Sequence, residues 1–180
     1  MSNARILADL MGTSTTVPSS KLSLAGSDLP SGTVLQVQSA TQTSATTMSN
    51  SSYADVAGLS VSITPSSASS KILVLVNIHI NAANSVGVVW KIVRDTTDIA
   101  VNNTTAAVST GGHYSESGAN AGNVWSGKSI SHLDTPNTTS SVTYKIQAHG
   151  TSTTSFGINR RSNYNDYGGV SSITVMEIAG

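Results

Sequence analysis

The stretch Lys71-Ile-Leu-Val-Leu-Val-Asn-Ile-His-Ile-Asn81 decides the fold class. In an extended chain successive side chains point to opposite faces, so Ile72, Val74, Val76, Ile78 and Ile80 share one face of a long strand. Leu73 and Leu75 lie on the other face, followed there by Asn77 and His79. Upstream, Leu59, Val61 and Ile63 alternate with Ser60, Ser62 and Thr64 and stop at Pro65. The turn 65–70 then leads into the long strand. Downstream, Val86–Arg94 has the same character, with Val86, Val88, Trp90 and Ile92 facing one way and Val89 and Val93 behind. In Ser141–His149, Val142, Tyr144, Ile146 and Ala148 alternate with Thr143, Lys145 and Gln147. Thr33–Gln38, Asp98–Val101, Gly122–Trp125, Lys128–Leu133, Phe156–Asn159 and Val170–Ile178 complete the expected strands. Short strands separated by turn signals predict an all-β chain, a jelly-roll β-sandwich of about 8–10 strands. Val and Ile together outnumber Leu by 29 to 10, which favours strand over helix throughout this region.

Composition fits one domain with an appended segment. The chain has 180 residues, of which 54 are Ser or Thr and only 10% are charged; an average soluble domain carries about 25% charge. Val, Ile, Leu and Phe make up 40 residues and the net charge is zero, enough apolar content to fold. Nine basic and nine acidic residues give no general attraction to nucleic acid or to an anionic membrane. The longest apolar block, Ile72–Val76, has five residues, far short of a membrane span. No long apolar stretch opens the sequence, so no secretory signal is expected. With zero cysteines, disulfides, thiolate metal sites and cysteine nucleophiles are excluded together.

Residues 1–33 read as an anchoring arm and linker, and 34–180 as the β domain. Ile6, Leu7, Leu10 and Met11 form one stripe of a short helix, with Asn3 as a candidate N-cap and Gly12 as its stop. Two helical turns are marginal alone in water, so the stripe is either an arm that docks on a partner or a frayed terminus. Between Ser39 and Ser52, nine of 14 residues are Ser or Thr. This segment reads as either an extended linker or a polar edge strand.

The outer face of a soluble sandwich normally alternates to polar residues, yet Leu73, Leu75, Val89 and Val93 sit opposite the expected core faces. The expectation is a symmetric homo-oligomer that covers them.

Catalytic chemistry is not expected. His79, His113, His132 and His149 fall into no ligand spacing, and the pair His132 and Asp134 alone does not make a metal site. The 32 serines make a paper Ser/His/Asp triad inevitable, but no nucleophile elbow is present. Glu116 and Glu177 are the only glutamates, and no acid pair suits glycoside hydrolysis. No phosphate-cradling loop occurs, and no cofactor is implied. Four Asn-x-Ser/Thr sequons, at Asn50, Asn102, Asn103 and Asn137, match chance for this composition.

Two loops remain as recognition candidates. Thr110–Ser126 is Gly-rich and holds Tyr114 and Trp125. Asn159–Gly169 concentrates Arg160, Arg161, Tyr164, Asp166 and Tyr167. Aromatic faces and polar groups on loops suit hydroxyl-rich ligands such as host glycans. Trp125, Arg160, Arg161, Tyr164 and Tyr167 are therefore the receptor-contact candidates. The competing reading is that Tyr and Arg lock the loops.

Four segments carry a resemblance. Ser69-Ser-Lys-Ile-Leu-Val74, Arg94-Asp-Thr96, Asp134-Thr-Pro-Asn-Thr-Thr-Ser-Ser-Val-Thr-Tyr-Lys-Ile-Gln147 and Ser171-Ser-Ile-Thr-Val-Met-Glu-Ile178 resemble C-terminal modules of tailed-phage virion proteins of marine and cyanobacterial type. The opening Ser2–Met11 is similar to a segment preceding such modules. The resemblance implies a jelly roll like the trimeric heads of the tumour-necrosis-factor-like fold, exposed on a virion assembled in the bacterial cytoplasm. It implies a homotrimer, other tail or capsid proteins as partners, and Ile6, Leu7, Leu10 and Met11 as the virion anchor. The chain is short for a fibre and lacks a long shaft. That keeps a capsid decoration or cement protein as the alternative to a tail-fibre-like appendage.

Overall fold

The computed structural model describes residues 29–82, 85–104, 107–115, 125–161 and 164–180, with side chains undescribed at 103, 104, 107 and 164–167. The expected arm helix, with Ile6, Leu7, Leu10 and Met11, lies outside the described residues. In chain order the strands are β1 (Val34–Gln42), β2 (Thr46–Met48), β3 (Ala54–Ile63), β4 (Lys71–Ala82) and β5 (Gly87–Arg94). Short strands follow: β6 (Thr97–Ile99), β7 (Asn102–Thr104), β8 (Ala107–Ser109) and β9 (Gly111–Tyr114). The remainder are β10 (Trp125–Asp134), β11 (Val142–Gly150), β12 (Phe156–Ile158), β13 (Arg160–Arg161), β14 (Tyr164–Gly168) and β15 (Ser171–Ile178). The described chain is all-β and its sheets are antiparallel.

β4 organises the first sheet. β10 runs along one of its edges, from Trp125 opposite Asn81 to Asp134 opposite Ile72. The other edge is shared end to end: β15 pairs with the segment 71–77 and β12 with 80–82. β1 lies outside β15 and β2 outside β12. The second sheet has the order β3-β11-β5-β6, and β9 continues the β6 edge of β5. The pairs β7–β8 and β13–β14 are separate two-stranded ribbons.

The two sheets enclose one core. Ile72, Val74, Val76, Ile78 and Ile80 of β4 meet Leu59, Val61, Val88, Trp90, Ile92, Tyr144 and Ile146 of the second sheet. Burying one aliphatic side chain of this size contributes about 1.5–3 kcal/mol. The alternation read in the sequence for β3, β4, β5 and β11 is the burial alternation of the structure.

Several segments differ from the sequence reading. Of the two readings of the hydroxyl-rich stretch after Ser39, the polar edge strand is the one found, in two pieces: β1 continues to Gln42, and Thr46–Met48 forms β2, each at an edge of the first sheet. The expected strand 98–101 shifts to Thr97–Ile99, because the backbone turns at Ala100 with φ of 53°. Neither candidate loop is wholly irregular: the first contains β9 and the start of β10, and the second contains β13 and β14.

Two buried carboxylates fasten the sheets and the turn beside them. Asp134, at the end of β10, accepts from Arg94 Nη1 at 2.9 and 2.8 Å and from the Tyr144 hydroxyl at 2.7 Å. Arg94 and Tyr144 are register partners on β5 and β11, so this clamp crosses from one sheet to the other. Burial, then the hydrogen bond to Asp134, pushes the Tyr144 phenol far above its ordinary value.

Glu177 has no exposed surface. It accepts from Gln36 Nε2 at 2.6 Å and from the backbone and hydroxyl of Ser66 at 2.7 and 2.6 Å, tying the turn before β4 to β1 and β15. Burial alone would raise its carboxyl, but the hydrogen bonds from Ser66 and Gln36 outweigh it and hold it below the ordinary glutamate value. A carboxyl lowered on folding stabilises above its unfolded pKa, about 4.3, and loses that contribution as pH falls through the folded value. In urea melts, the stability gap between the natural chain and Glu177→Gln is expected to shrink as pH drops from about 6 to about 3. A gap constant with pH contradicts this assignment.

Candidate functional surface

β4 defines a molecular axis. Twelve residues at about 3.3 Å each place its two ends about 36 Å apart. At the Lys71 end, the described chain begins: Gly32 N donates to Ala179 O and Ala179 N to Thr33 O, both at 2.8 Å. These bonds fix residues 31–33 beside the end of β15, so the arm sequence enters the fold there.

At the Ala82 end, the candidate recognition residues converge. Trp125 opens β10 opposite Asn81, and its ring stacks on His79 with centroids 4.6 Å apart and planes 23° apart. Gly169 crosses this pair. A Cβ there would lie 2.6 Å from Trp125 Cζ2 and 2.7 Å from His79 Cγ, so only glycine fits. Arg160 and Arg161 follow directly from β12, which pairs with the end of β4. Arg160 Nη1 donates to Thr47 Oγ1 of β2 at 2.8 Å. Arg161 is the register partner of Tyr164, and Arg160 of Gly168, in the β13–β14 ribbon.

The neck of that ribbon is tightly held. Asn159 sits in the left-handed region with φ of 56°, which asparagine tolerates better than most residues. Its amide donates to Gln42 O at 2.6 Å, and its Oδ1 accepts from the Ser171 hydroxyl at 2.6 Å. Ser171 Oγ in turn accepts from His79 N at 2.9 Å. Gly169 N closes the loop on Asn159 O at 3.3 Å. The structure therefore brings Trp125, Arg160, Arg161 and the backbone of Tyr164 and Tyr167 to one end of the molecule. Exposed Tyr114 stands at the same end, on β9 opposite Gly87. Trp125, Arg160 and Arg161 are only half-exposed, because each also serves the local packing.

The four expected interface residues do not share a surface. Leu73 and Leu75 are half-buried on the outer face of the first sheet. Val89 and Val93 lie on the outer face of the second, on the opposite side of the core. Val93 is covered by its own chain, 3% exposed, with Lys145 and Asp98 as its register neighbours.

Asp134, committed to Arg94 and Tyr144, is not free to act with His132. No group of three or more acidic or histidine side chains suited to a metal ion occurs among the described residues. No known protein-family model and no curated protein matches this sequence.

Proposed function

We propose that this chain is a non-catalytic virion structural protein of a tailed phage: a homotrimeric, tail-fibre-like surface appendage attached by its N-terminal arm. One observation carries the reading. The arm joins the β body at the Lys71 end, while Trp125, Arg160, Arg161 and the β13–β14 ribbon gather about 36 Å away at the Ala82 end. An appendage needs this polarity, with its attachment at one pole and its contact surface at the other. We read the strand order β1-β15-β4-β10 over β3-β11-β5-β6 as a jelly roll, since the first and last strands are neighbours in one sheet and the chain crosses repeatedly between sheets. Loop-end Tyr, Trp and Arg, supported by a rigid sheet, suit contact with a hydroxyl-rich host glycan.

The test is the copy number of this chain in purified phage particles, by quantitative mass spectrometry against the major capsid protein. A small multiple of three per particle is expected. Absence from the particle overturns the reading, and an abundance equal to the capsid protein replaces the appendage with a decoration or cement role.

A further inference from the structure

The two outer faces of the β body are finished differently. On the second sheet, Lys145 pairs with Asp55 at 2.9 Å and Lys91 with Asp98 at 2.8 Å. Gln147 donates to Asp55 at 2.7 Å, and the Ser62 and Thr143 hydroxyls bond each other at 2.8 Å. That face has the ion pairs and hydrogen bonds of a solvated surface.

The outer face of the first sheet has the opposite chemistry. Val37, Met176, Leu73 and Leu133 are register partners in sequence across β1, β15, β4 and β10, so they form one apolar row spanning four strands. The next row toward the arm continues it with Val34 opposite Ile178. Val37 is 50% and Leu133 49% exposed in the single chain. Among the described residues the charged groups on this face stand at its two ends, Lys71 at the arm end and Arg160 at the other, where it lies over Gly157 and bonds Thr47. On the other side of the row, a shallow groove of about 520 Å³ is lined by Leu75, Asn77, Ser129, Ser131, Ser172 and Thr174.

We infer that this face receives a second copy of the chain, with the Val37–Met176–Leu73–Leu133 row of one copy seated against the groove of the next. The inference deepens the homotrimer reading and rests on it, but it assigns the contact to one sheet and removes Val89 and Val93 from it. Three features favour a second copy over a charged or glycan partner. An apolar ridge and a concave strip lie side by side on the same face, as self-association requires. Charge is depleted from it and Met and Leu are concentrated on it, as at the centre of protein interfaces. Four strands about 4.8 Å apart and about nine residues long give a face of about 570 Å²; in a ring of three the row and the groove meet different neighbours, so the whole face of each copy is covered and the assembly buries about 1,700 Å².

Val37→Asp combined with Leu133→Asp tests this, because both side chains are already half-exposed and their loss spares the core. Native mass and light scattering of the full chain are expected to show an oligomer for the natural protein and an 18.4 kDa monomer for the double variant. The dissociation constant is expected to rise at least about a hundredfold, since the new carboxylates would be buried without partners. Lys91→Ala, on the opposite face, is expected to leave the mass unchanged. A natural chain that stays monomeric at high micromolar concentration, or a folded double variant that keeps its oligomer mass, overturns the inference. Particle content by mass spectrometry is independent of either result, so the virion reading stands or falls separately.

Discussion

Asp134→Ala is expected to destabilise the β body by about 3 kcal/mol and to lower its melting midpoint by roughly 6–12 °C. The carboxylate receives both contacts of the Arg94 guanidinium nitrogen and the hydroxyl of a fully buried tyrosine. Removing it leaves Arg94 charged and Tyr144 without its acceptor, both on the sheet opposite. The cost of stranding such groups exceeds the net worth of the bonds themselves. Arg94 retains 22% side-chain exposure, so water reaches it and the figure belongs at the low end of the range for broken buried pairs. Tyr144→Phe removes a donor and strands only part of the acceptor, and about 1 kcal/mol is expected. A double-mutant cycle between the two positions should return a coupling of the same order. A change below about 0.5 kcal/mol for Asp134→Ala would mean that the clamp is ornamental and the core alone holds the sheets together.

Deleting residues 1–12 is expected to abolish incorporation into phage particles, a loss of at least about a hundredfold by particle mass spectrometry, while the β domain keeps its melting midpoint. The removed stripe of Ile6, Leu7, Leu10 and Met11 holds four large apolar side chains, each able to contribute about 1.5–3 kcal/mol when buried against a partner. The fully buried apolar core of the described residues begins only at Val56, and residues 31–33 are fixed by the last strand. Folded variant that still joins particles would move the attachment site onto the β body.

Much of the architecture was legible as two-residue alternation. β3, β4, β5 and β11 show it because each has one face on the core, and the sheet that buries them leaves its period in the side chains. Alternation is a property of one strand, however, and says nothing about which sheet that strand joins. Leu73 and Val89 therefore look equivalent in the sequence, although they point out of opposite sides of the fold. Val93 reads as exposed for the same reason: its cover, between Lys145 and Asp98, comes from strands distant in the chain. Glu177 was visible only as an acid in the last strand. Its burial depends on Gln36 and Ser66, more than a hundred residues away, and no local pattern marks such a pairing. The convergence of Trp125 with Arg160 and Arg161 was equally hidden, because β10 and β12 meet only through opposite edges of β4. The aromatic and basic composition of the two segments did single them out, and their location is what the fold adds.

β12 and β15 share one edge of β4, and between them the chain leaves the sheet through the Asn159 neck and returns at Gly169. Everything beyond that neck is an excursion from a row whose register is set on both sides of it. Substitutions and changes of length between 162 and 167 are expected to leave the rungs of β4 with β12 and β15 in place, because those rungs are set on either side of the neck. The ribbon is thus a replaceable cassette, a place where sequence and length can change at little risk to folding. The same neck is where a foreign peptide would be grafted for display.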